Sequence, residues 1–105
     1  MNTVFARFSV GQIVHHTLFD YRGVIIDVDP EYRGTEEWYE NVALSRPPKD
    51  RPWYHVLMDG TDNQTYVAER NLEADDSDDP IHHPDLDQYF YGQAEGVYVP
   101  RRQGN

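Results

Sequence analysis

The chain of 105 residues is long enough for one domain with a modest core and too short for two. It contains no cysteine, which excludes disulfide bonds, thiolate metal sites and a cysteine nucleophile. The formal net charge of −10 at pH 7 opposes nucleic-acid binding, because affinity for phosphates comes largely from Lys and Arg. The first residues lack the pattern of a secretory signal and no stretch is long and apolar enough to span a membrane, so we expect a cytoplasmic protein without a membrane partner.

Residues 11–30 predict two strands joined by a short loop. β-Branched residues dominate the second strand, which favours strand over helix. Val24, Ile26 and Val28 recur at every second position, and this spacing predicts that they share the inner face of that strand. Gly23 is expected to supply a positive φ in the connection.

His15 and His16 are neighbours in the first predicted strand. Adjacent strand residues point to opposite faces, so the two side chains cannot bind one metal ion without distortion. We interpret them as structural histidines, one partly buried and hydrogen-bonded and the other exposed. No metal site and no cofactor are predicted.

A long excursion from the sheet follows, over residues 31–52. Thr35 is suited to cap a helix that runs from Glu36 to about Leu44, because its hydroxyl can accept from a free backbone N–H of the first turn. Trp38 and Val42 lie four residues apart and are expected to pack one side of this helix against the sheet. Three prolines then exclude regular structure up to residue 52.

Two more strands are predicted at Trp53–Met58 and Gln64–Ala68, around a turn of polar and glycine residues. Residues 69–72 predict a tight turn before either a short last strand or a docked Leu72. After the acidic run of residues 75–79, Pro84 is suited to open a short helix that Gly92 ends. The remaining residues, 92–105, are expected to form a flexible tail.

These elements predict a mainly β protein. Four or five short strands in two hairpins, with one long excursion and a short C-terminal helix, are typical of a small antiparallel barrel of the SH3-like kind. A sheet this short must close on itself, cover an edge or pair with another subunit, so a homo-oligomer is also expected.

Six blocks of the sequence form a recognisable pattern. They are Gly11-x-x-Val14-x-His16, Tyr21-Arg22-Gly23-Val24-Ile25, Asp27-x-Asp29-Pro30, Pro52-Trp53-Tyr54-His55-Val56-Leu57, Tyr66-Val67-Ala68-Glu69-x-Asn71-Leu72 and His83-Pro84. The tryptophan-containing block and the block that ends in Asn-Leu are the most specific. On these blocks the chain, between about Phe8 and Tyr91, is similar to the hemimethylated DNA-binding family, also called YccV-like or heat shock protein HspQ.

The resemblance implies an SH3-like barrel without enzymatic activity. It also implies binding to hemimethylated duplex DNA, a link to control of replication initiation, and a heat-shock role tied to proteolysis by the Lon protease. On this basis residues 1–7 are assigned to an N-terminal segment, 8–91 to the barrel domain and 92–105 to the tail.

Two binding hypotheses follow. In the first, cationic and aromatic residues of the hairpin and the excursion contact DNA; these candidate residues are Tyr21, Arg22, Arg46, Lys49, Arg51 and Tyr54. In the second, the acidic surface suits a protein-binding adaptor that engages the Lon protease or its substrates, and a barrel edge can accept an extended peptide. We reject an enzyme, because Asp27 and Asp29 resemble a carboxylate pair without any accompanying nucleophile.

Overall fold

The computed structural model describes residues 5–101. Its elements, in chain order, are β1 (Ile13–His16), β2 (Arg22–Asp29), α1 (Glu36–Val42), β3 (Trp53–Met58), β4 (Gln64–Ala68), a 3-10 turn (Glu69–Asn71), β5 (Leu72–Ala74), α2 (Leu86–Tyr89), β6 (Phe90–Ala94) and β7 (Val97–Pro100). The predicted strands of both hairpins are confirmed, as is the mainly β fold class. Within the described range, no helix is long and apolar enough to cross a bilayer.

Five strands form one antiparallel sheet in the order β4-β3-β2-β1-β5. In a flat sheet the two outer strands would lie about 19 Å apart, because neighbouring strands are spaced by about 4.8 Å. The 3-10 turn of residues 69–71 joins these two outer strands directly, and a turn of that length spans only about 8 Å. The sheet must therefore curl until its edges approach, and this produces the barrel.

Strand β2 contributes to two cores and contains a β-bulge. Its register against β3 shifts between Ile25 and Asp27. Val24 and Ile26 pack in one cluster, whereas Ile25 and Val28 pack in the other. The prediction of a shared face is therefore confirmed for Val24 and Ile26 and wrong for Val28, since an extra residue in one strand reverses the alternation beyond it.

The loop between β1 and β2 also differs from expectation at Gly23. The residue with positive φ is Asp20, at 58°, while Gly23 lies within β2. A Cβ on Gly23 would lie 2.4 Å from Val56 Cγ1 and 2.6 Å from the Leu57 carbonyl oxygen. Glycine is needed there for close packing of β2 on β3 rather than for its backbone freedom.

Helix α1 begins as predicted, with the Thr35 hydroxyl accepting from the backbone N–H of Trp38 at 3.0 Å. Its packing face differs, however. Tyr39 and Ala43 are buried against Trp53, whereas Val42 is 52% exposed. Each buried position is therefore shifted by one residue from the prediction, to Tyr39 and Ala43, and Val42 remains at the surface.

The C-terminal region departs most from the predicted arrangement. Helix α2 ends at Tyr89, and Phe90 and Gly92 lie in strand β6 instead of the helix. Strands β6 and β7 form a second antiparallel sheet, joined by Glu95 and Gly96, which both have positive φ, as a type I′ turn requires. The residues assigned to a flexible tail are thus folded as far as residue 100, and residues 102–105 lie outside the described range.

The C-terminal hairpin packs on the barrel core cluster that contains Val24. Tyr98 and Phe90 are 4% and 1% exposed, and their ring centroids are 5.3 Å apart. The Tyr98 hydroxyl accepts from the Ile81 backbone N–H at 2.8 Å. At Gly11, where φ is +95°, the Tyr98 N–H donates to the glycine carbonyl at 2.9 Å.

Candidate functional site

Two of the predicted cations, Arg46 and Lys49, lie on either side of Tyr39. Arg46 Cζ is 5.8 Å and Lys49 Nζ is 4.3 Å from the centroid of its ring. Each also has an acidic partner, Glu40 at 3.3 Å for Arg46 and Glu36 at 2.8 Å for Lys49. The hydrogen bond to Glu36 raises the pKa of Lys49. Neither cation is therefore free of a carboxylate.

Arg46 has a structural contact as well. One of its guanidinium nitrogens donates to the carbonyls of Tyr39, Glu40 and Ala43 at 3.1 to 3.4 Å. These carbonyls belong to the C-terminal turn of α1, where backbone acceptors lack helical partners and a positive charge is favourable. Arg46 stabilises the end of the helix.

Arg51, the third predicted cation of the excursion, lies beside two arginines that are distant in sequence. Arg7, Arg51 and Arg70, here called the arginine cluster, line a small pocket of about 220 Å³. Glu69 shares this pocket, but its carboxylate already accepts from the Arg7 backbone N–H and the Tyr54 hydroxyl. Among residues 5–101, neither Arg7 nor Arg70 has a carboxylate within ion-pair distance, and Arg51 has only Asp50 at 4.0 Å.

Arg22 is not in this region. Its guanidinium lies 3.2 Å from Asp59 and 3.1 Å from Asp75, and it donates to the Asp79 carbonyl at 2.7 Å. Its side chain is 23% exposed. These contacts tie β2 to the acidic run and to the turn that follows β3.

The two predicted aromatic contacts differ in accessibility. Tyr54 is 0% exposed, and its hydroxyl donates to Glu69 at 2.5 Å. Burial and this bond raise the pKa of Tyr54 well above its ordinary range. Tyr21 is half-buried, with its hydroxyl 2.8 Å from Thr65 Oγ1. Of the pair, Tyr21 alone reaches the surface.

Strand β3 separates the arginine cluster from the acidic run. Arg51 and Pro52 precede this strand, whereas Asp59, which shares Arg22 with Asp75, follows its last residue. A strand of this length spans about 20 Å. That distance exceeds the Debye length of about 8 Å at physiological ionic strength, so salt screens the acidic run from the arginines.

A second concavity is an open groove of about 1060 Å³, here called the β4 groove. Its walls come from the loop between β1 and β2, from the end of α1 with Ala43 and Leu44 that follow it, and from strand β4. Representative lining residues are Leu18, Phe19, Val42, Leu44, Thr65 and Tyr66. Four of these are large apolar residues with more than half of their surface exposed, an arrangement typical of a binding surface.

An aromatic cluster forms one side of this groove. Trp53, which is 1% exposed, contacts Tyr66, Trp38 and Tyr32 with ring centroids 5.2, 6.1 and 4.8 Å away. The tryptophan is the buried base on which the partly exposed rings pack. Trp38 thus joins the core of the excursion and also lines the β4 groove.

One described group of side chains has the spacing of a metal site. Ligand atoms of Asp27, Asp29 and His55 lie within 4.8 Å of one another. Asp29 Oδ2 already accepts from the Tyr66 hydroxyl at 2.6 Å and lies 3.2 Å from His55 Nε2, while Asp27 Oδ1 accepts from the Val28 N–H. Both carboxylates therefore already have hydrogen-bond partners within the protein, and His55 is paired with Asp29.

The paired histidines of β1 do lie in different environments. His16 is 4% exposed, and its Nδ1 accepts from the backbone N–H groups of Leu18 and Phe19 at 3.1 and 3.0 Å. Burial lowers the pKa of His16. His15 lies 2.6 Å from Asp20 and 2.9 Å from Glu73, and these hydrogen bonds raise its pKa. The expectation of one exposed histidine is not met, because both acids cover His15.

Sequence reasoning missed Arg7, Arg70 and the apolar residues of the groove. Arg7 and Arg70 are isolated cations in the sequence, and only the fold brings them to Arg51. Leu18 and Phe19 did carry a signal, since two adjacent apolar residues occupy a loop where polar residues are usual.

The sequence was also compared with known protein families. Residues 6–97 match the family described as hemimethylated DNA-binding protein YccV like. This match extends beyond the expected range of residues 8–91 at both ends. It covers the barrel, the excursion, the β4 groove, the arginine cluster and the first residue of β7. The chain therefore belongs to the YccV-like hemimethylated DNA-binding protein family.

Proposed function

We propose that this chain is a cytoplasmic, non-enzymatic protein that binds hemimethylated duplex DNA. The observation that carries the proposal is the arginine cluster, in which Arg7, Arg51 and Arg70 meet in a pocket while the acidic run lies beyond β3. Guanidinium groups suit phosphate, which they bind through two parallel hydrogen bonds. Membership in the family supports hemimethylated DNA as the ligand.

The predicted cations Arg46 and Lys49 directly follow Ser45, whose carbonyl accepts from Arg70, and Pro48, which lines the pocket of the cluster. Their acidic partners Glu36 and Glu40 are 76% and 61% exposed. Exposed ion pairs of this kind contribute about 0 to 1 kcal/mol, so a phosphate can replace the carboxylate at little cost. Links to replication-initiation control and to the heat-shock response rest on the family resemblance.

The test is fluorescence anisotropy with hemimethylated, fully methylated and unmethylated duplexes of one sequence, at low and moderate salt. We expect saturable binding that weakens with salt, with a slope of about −0.9 per phosphate contact. One buried methyl group contributes about 0.8 kcal/mol, so a preference of about fourfold for methylated DNA is expected from that contact. Absence of saturable binding at low salt would contradict the proposal.

A matched pair of variants locates the surface. Reversing Arg51 and Arg70 to glutamate should weaken binding by at least about tenfold and remove about two contacts from the salt slope. The control reverses Arg33 and Arg101 and so changes the net charge equally. If both variants lose affinity equally, total charge and not the arginine cluster determines binding.

A second candidate function is a protein-binding adaptor that modulates degradation by the Lon protease. The net charge of −10 and the exposed apolar residues of the β4 groove favour it, because such a surface suits a protein more than a phosphate backbone. The test adds the protein to Lon and a Lon substrate and follows substrate loss. Unchanged turnover at saturating protein would exclude this role.

A further inference from the structure

The edge of the sheet inside the β4 groove has free backbone groups. β4 is an outer strand, and within residues 5–101 no further strand pairs with it. The Met58 N–H donates to the Asn63 carbonyl and the Glu69 N–H to the Pro52 carbonyl, both at 3.1 Å. Hydrogen-bonded pairs in an antiparallel ladder recur at every second residue.

That periodicity fixes which residues of β4 face outward. Thr65 and Val67, opposite Val56 and Tyr54, use their backbone groups toward β3. Gln64 and Tyr66 therefore point their N–H and C=O groups away from β3, into the groove. Gln64 is exposed and Tyr66 partly exposed, so the edge is accessible at this end of the strand.

The two sides of this edge differ chemically. Thr65 faces the side that includes Tyr21, and Leu18 and Phe19 of the loop extend the same apolar lining. Tyr66 faces the other side, where its hydroxyl donates to Asp29 at 2.6 Å and its ring lies 5.7 Å from that of Trp38.

Charge favours a basic occupant on the Tyr66 side. No Lys or Arg of the described residues 5–101 lines the groove, and Asp27 and Asp29 lie together behind Tyr66. A cationic side chain can pass over the faces of Tyr66 and Trp38 toward these carboxylates, gaining both cation–π and ionic attraction. The net charge of −10 also attracts basic chains at long range.

We propose that the β4 groove binds an extended segment of a partner protein that pairs with Gln64–Tyr66 as an added antiparallel or parallel strand. Side chains of a strand alternate, so the segment carries apolar residues toward Leu18 and Phe19 and Lys or Arg toward Tyr66 and Asp29. The inference deepens the second candidate function, since it rests on protein binding, and it names the recognised segment as an alternating basic and apolar one.

The probe is a fluorescein-labelled peptide of four Lys-Val repeats, measured by anisotropy with the full chain. We expect saturable binding that weakens with salt, and none to a peptide of four Glu-Val repeats. A peptide with the same lysines and valines in two blocks cannot place the two types on opposite faces, so it should bind at least about tenfold more weakly. Equal affinity for the alternating and block peptides would overturn the inference.

Strand addition is tested directly at the backbone. Gln64→Pro removes one outward N–H at a position where proline is tolerated, the first residue of an edge strand, and should weaken binding by about tenfold. Gln64→Ala retains the N–H and should bind normally. In the unmodified protein, the peptide should slow hydrogen exchange of the Gln64 and Tyr66 amides. Unchanged exchange with bound peptide would overturn strand addition.

A second pair of variants does not depend on the proline variant being folded. Phe19→Ser with Leu44→Ser alters residues that are 71% and 72% exposed, so stability should be retained while peptide affinity falls at least about tenfold. Tyr91→Ser with Val99→Ser changes exposed residues of the C-terminal hairpin and is the control. Equal loss in both pairs would overturn the assignment to the groove.

Two further outcomes separate this inference from its alternatives. If the protein dimerises in sedimentation and Gln64→Pro abolishes the dimer while the peptide does not compete, a second copy occupies the edge and the inference is overturned. If Lon-dependent turnover changes but no peptide binds, the inference fails and the adaptor function stands. Peptide binding without any effect on Lon supports the groove and removes Lon as the partner.

Discussion

Replacing Gly11 with alanine tests how the C-terminal hairpin is held on the barrel. At Gly11 φ is +95°, and a Cβ would lie 2.1 Å from the carbonyl oxygen of Tyr98. The new Cβ is fixed to the backbone of residue 11 and meets the backbone of Tyr98, so no side-chain rotation relieves the clash. We expect the hairpin to move away from Gly11 and to break the hydrogen bond from the Tyr98 N–H to the Gly11 carbonyl.

The magnitude follows from three contributions. A positive φ costs alanine about 1 kcal/mol, and the lost hydrogen bond costs about 1 kcal/mol. Partial exposure of Tyr98, which is 4% exposed in the structure, adds about 1 kcal/mol. The total, about 3 kcal/mol, is a large part of the roughly 5 to 15 kcal/mol that stabilises a domain. In a domain of this size it lowers Tm by at least about 12 °C.

The assay is thermal unfolding by circular dichroism, with Gly60→Ala as the matched control. Gly60 also has a positive φ, of +79°, but a Cβ there meets nothing within 4 Å. Gly60→Ala should therefore cost only the backbone contribution, about 1 kcal/mol. If Gly11→Ala and Gly60→Ala lower Tm equally, the close approach of Tyr98 to Gly11 is refuted.

Three other predictions concern single side chains. In NMR titration, the pKa of His16 should lie below the ordinary value of 6.5 and that of His15 above it. His16 therefore contributes stability above pH 6.5, and this contribution is lost as the pH falls through its lowered pKa. His15 contributes stability below pH 6.5, and this contribution is lost as the pH rises through its raised pKa. Thr35→Ala should lower the free energy of unfolding in urea by about 1 kcal/mol, and Thr35→Ser should restore it. Tyr54→Phe leaves Glu69 without the buried hydroxyl and should cost about 1 to 3 kcal/mol by the same measurement, whereas an unchanged midpoint would show that water replaces it.

The strands of the barrel were predictable because each is a short run of apolar residues bounded by turn residues. The cap of α1 was predictable for a similar reason, since Thr35 acts through its immediate neighbours. The bulge in β2 was not, because Val24, Ile26 and Val28 alternate without interruption and only pairing with β3 reveals the extra residue.

The C-terminal hairpin illustrates a second limit. Its turn, Glu95-Gly96, carries a single glycine, and β6 contains a glycine and polar residues that weaken the strand pattern. Packing of Tyr98 and Phe90 on the barrel, which is tertiary, decides the structure. The same applies to the candidate site, since Arg7 and Arg70 meet Arg51 only after folding.

Closure of the barrel has a consequence for how the chain folds during synthesis. Strands β2, β3 and β4 pair with neighbours in the sequence, but β1 completes the sheet by pairing Val14 with Ala74. Pairs so distant in sequence form late, because the entropy of closing a long loop must be overcome first. A nascent chain therefore leaves one edge of β1, the edge opposite β2, unpaired until β5 leaves the ribosome. The last ladder to form is also the one whose two strand edges a chaperone would find unpaired.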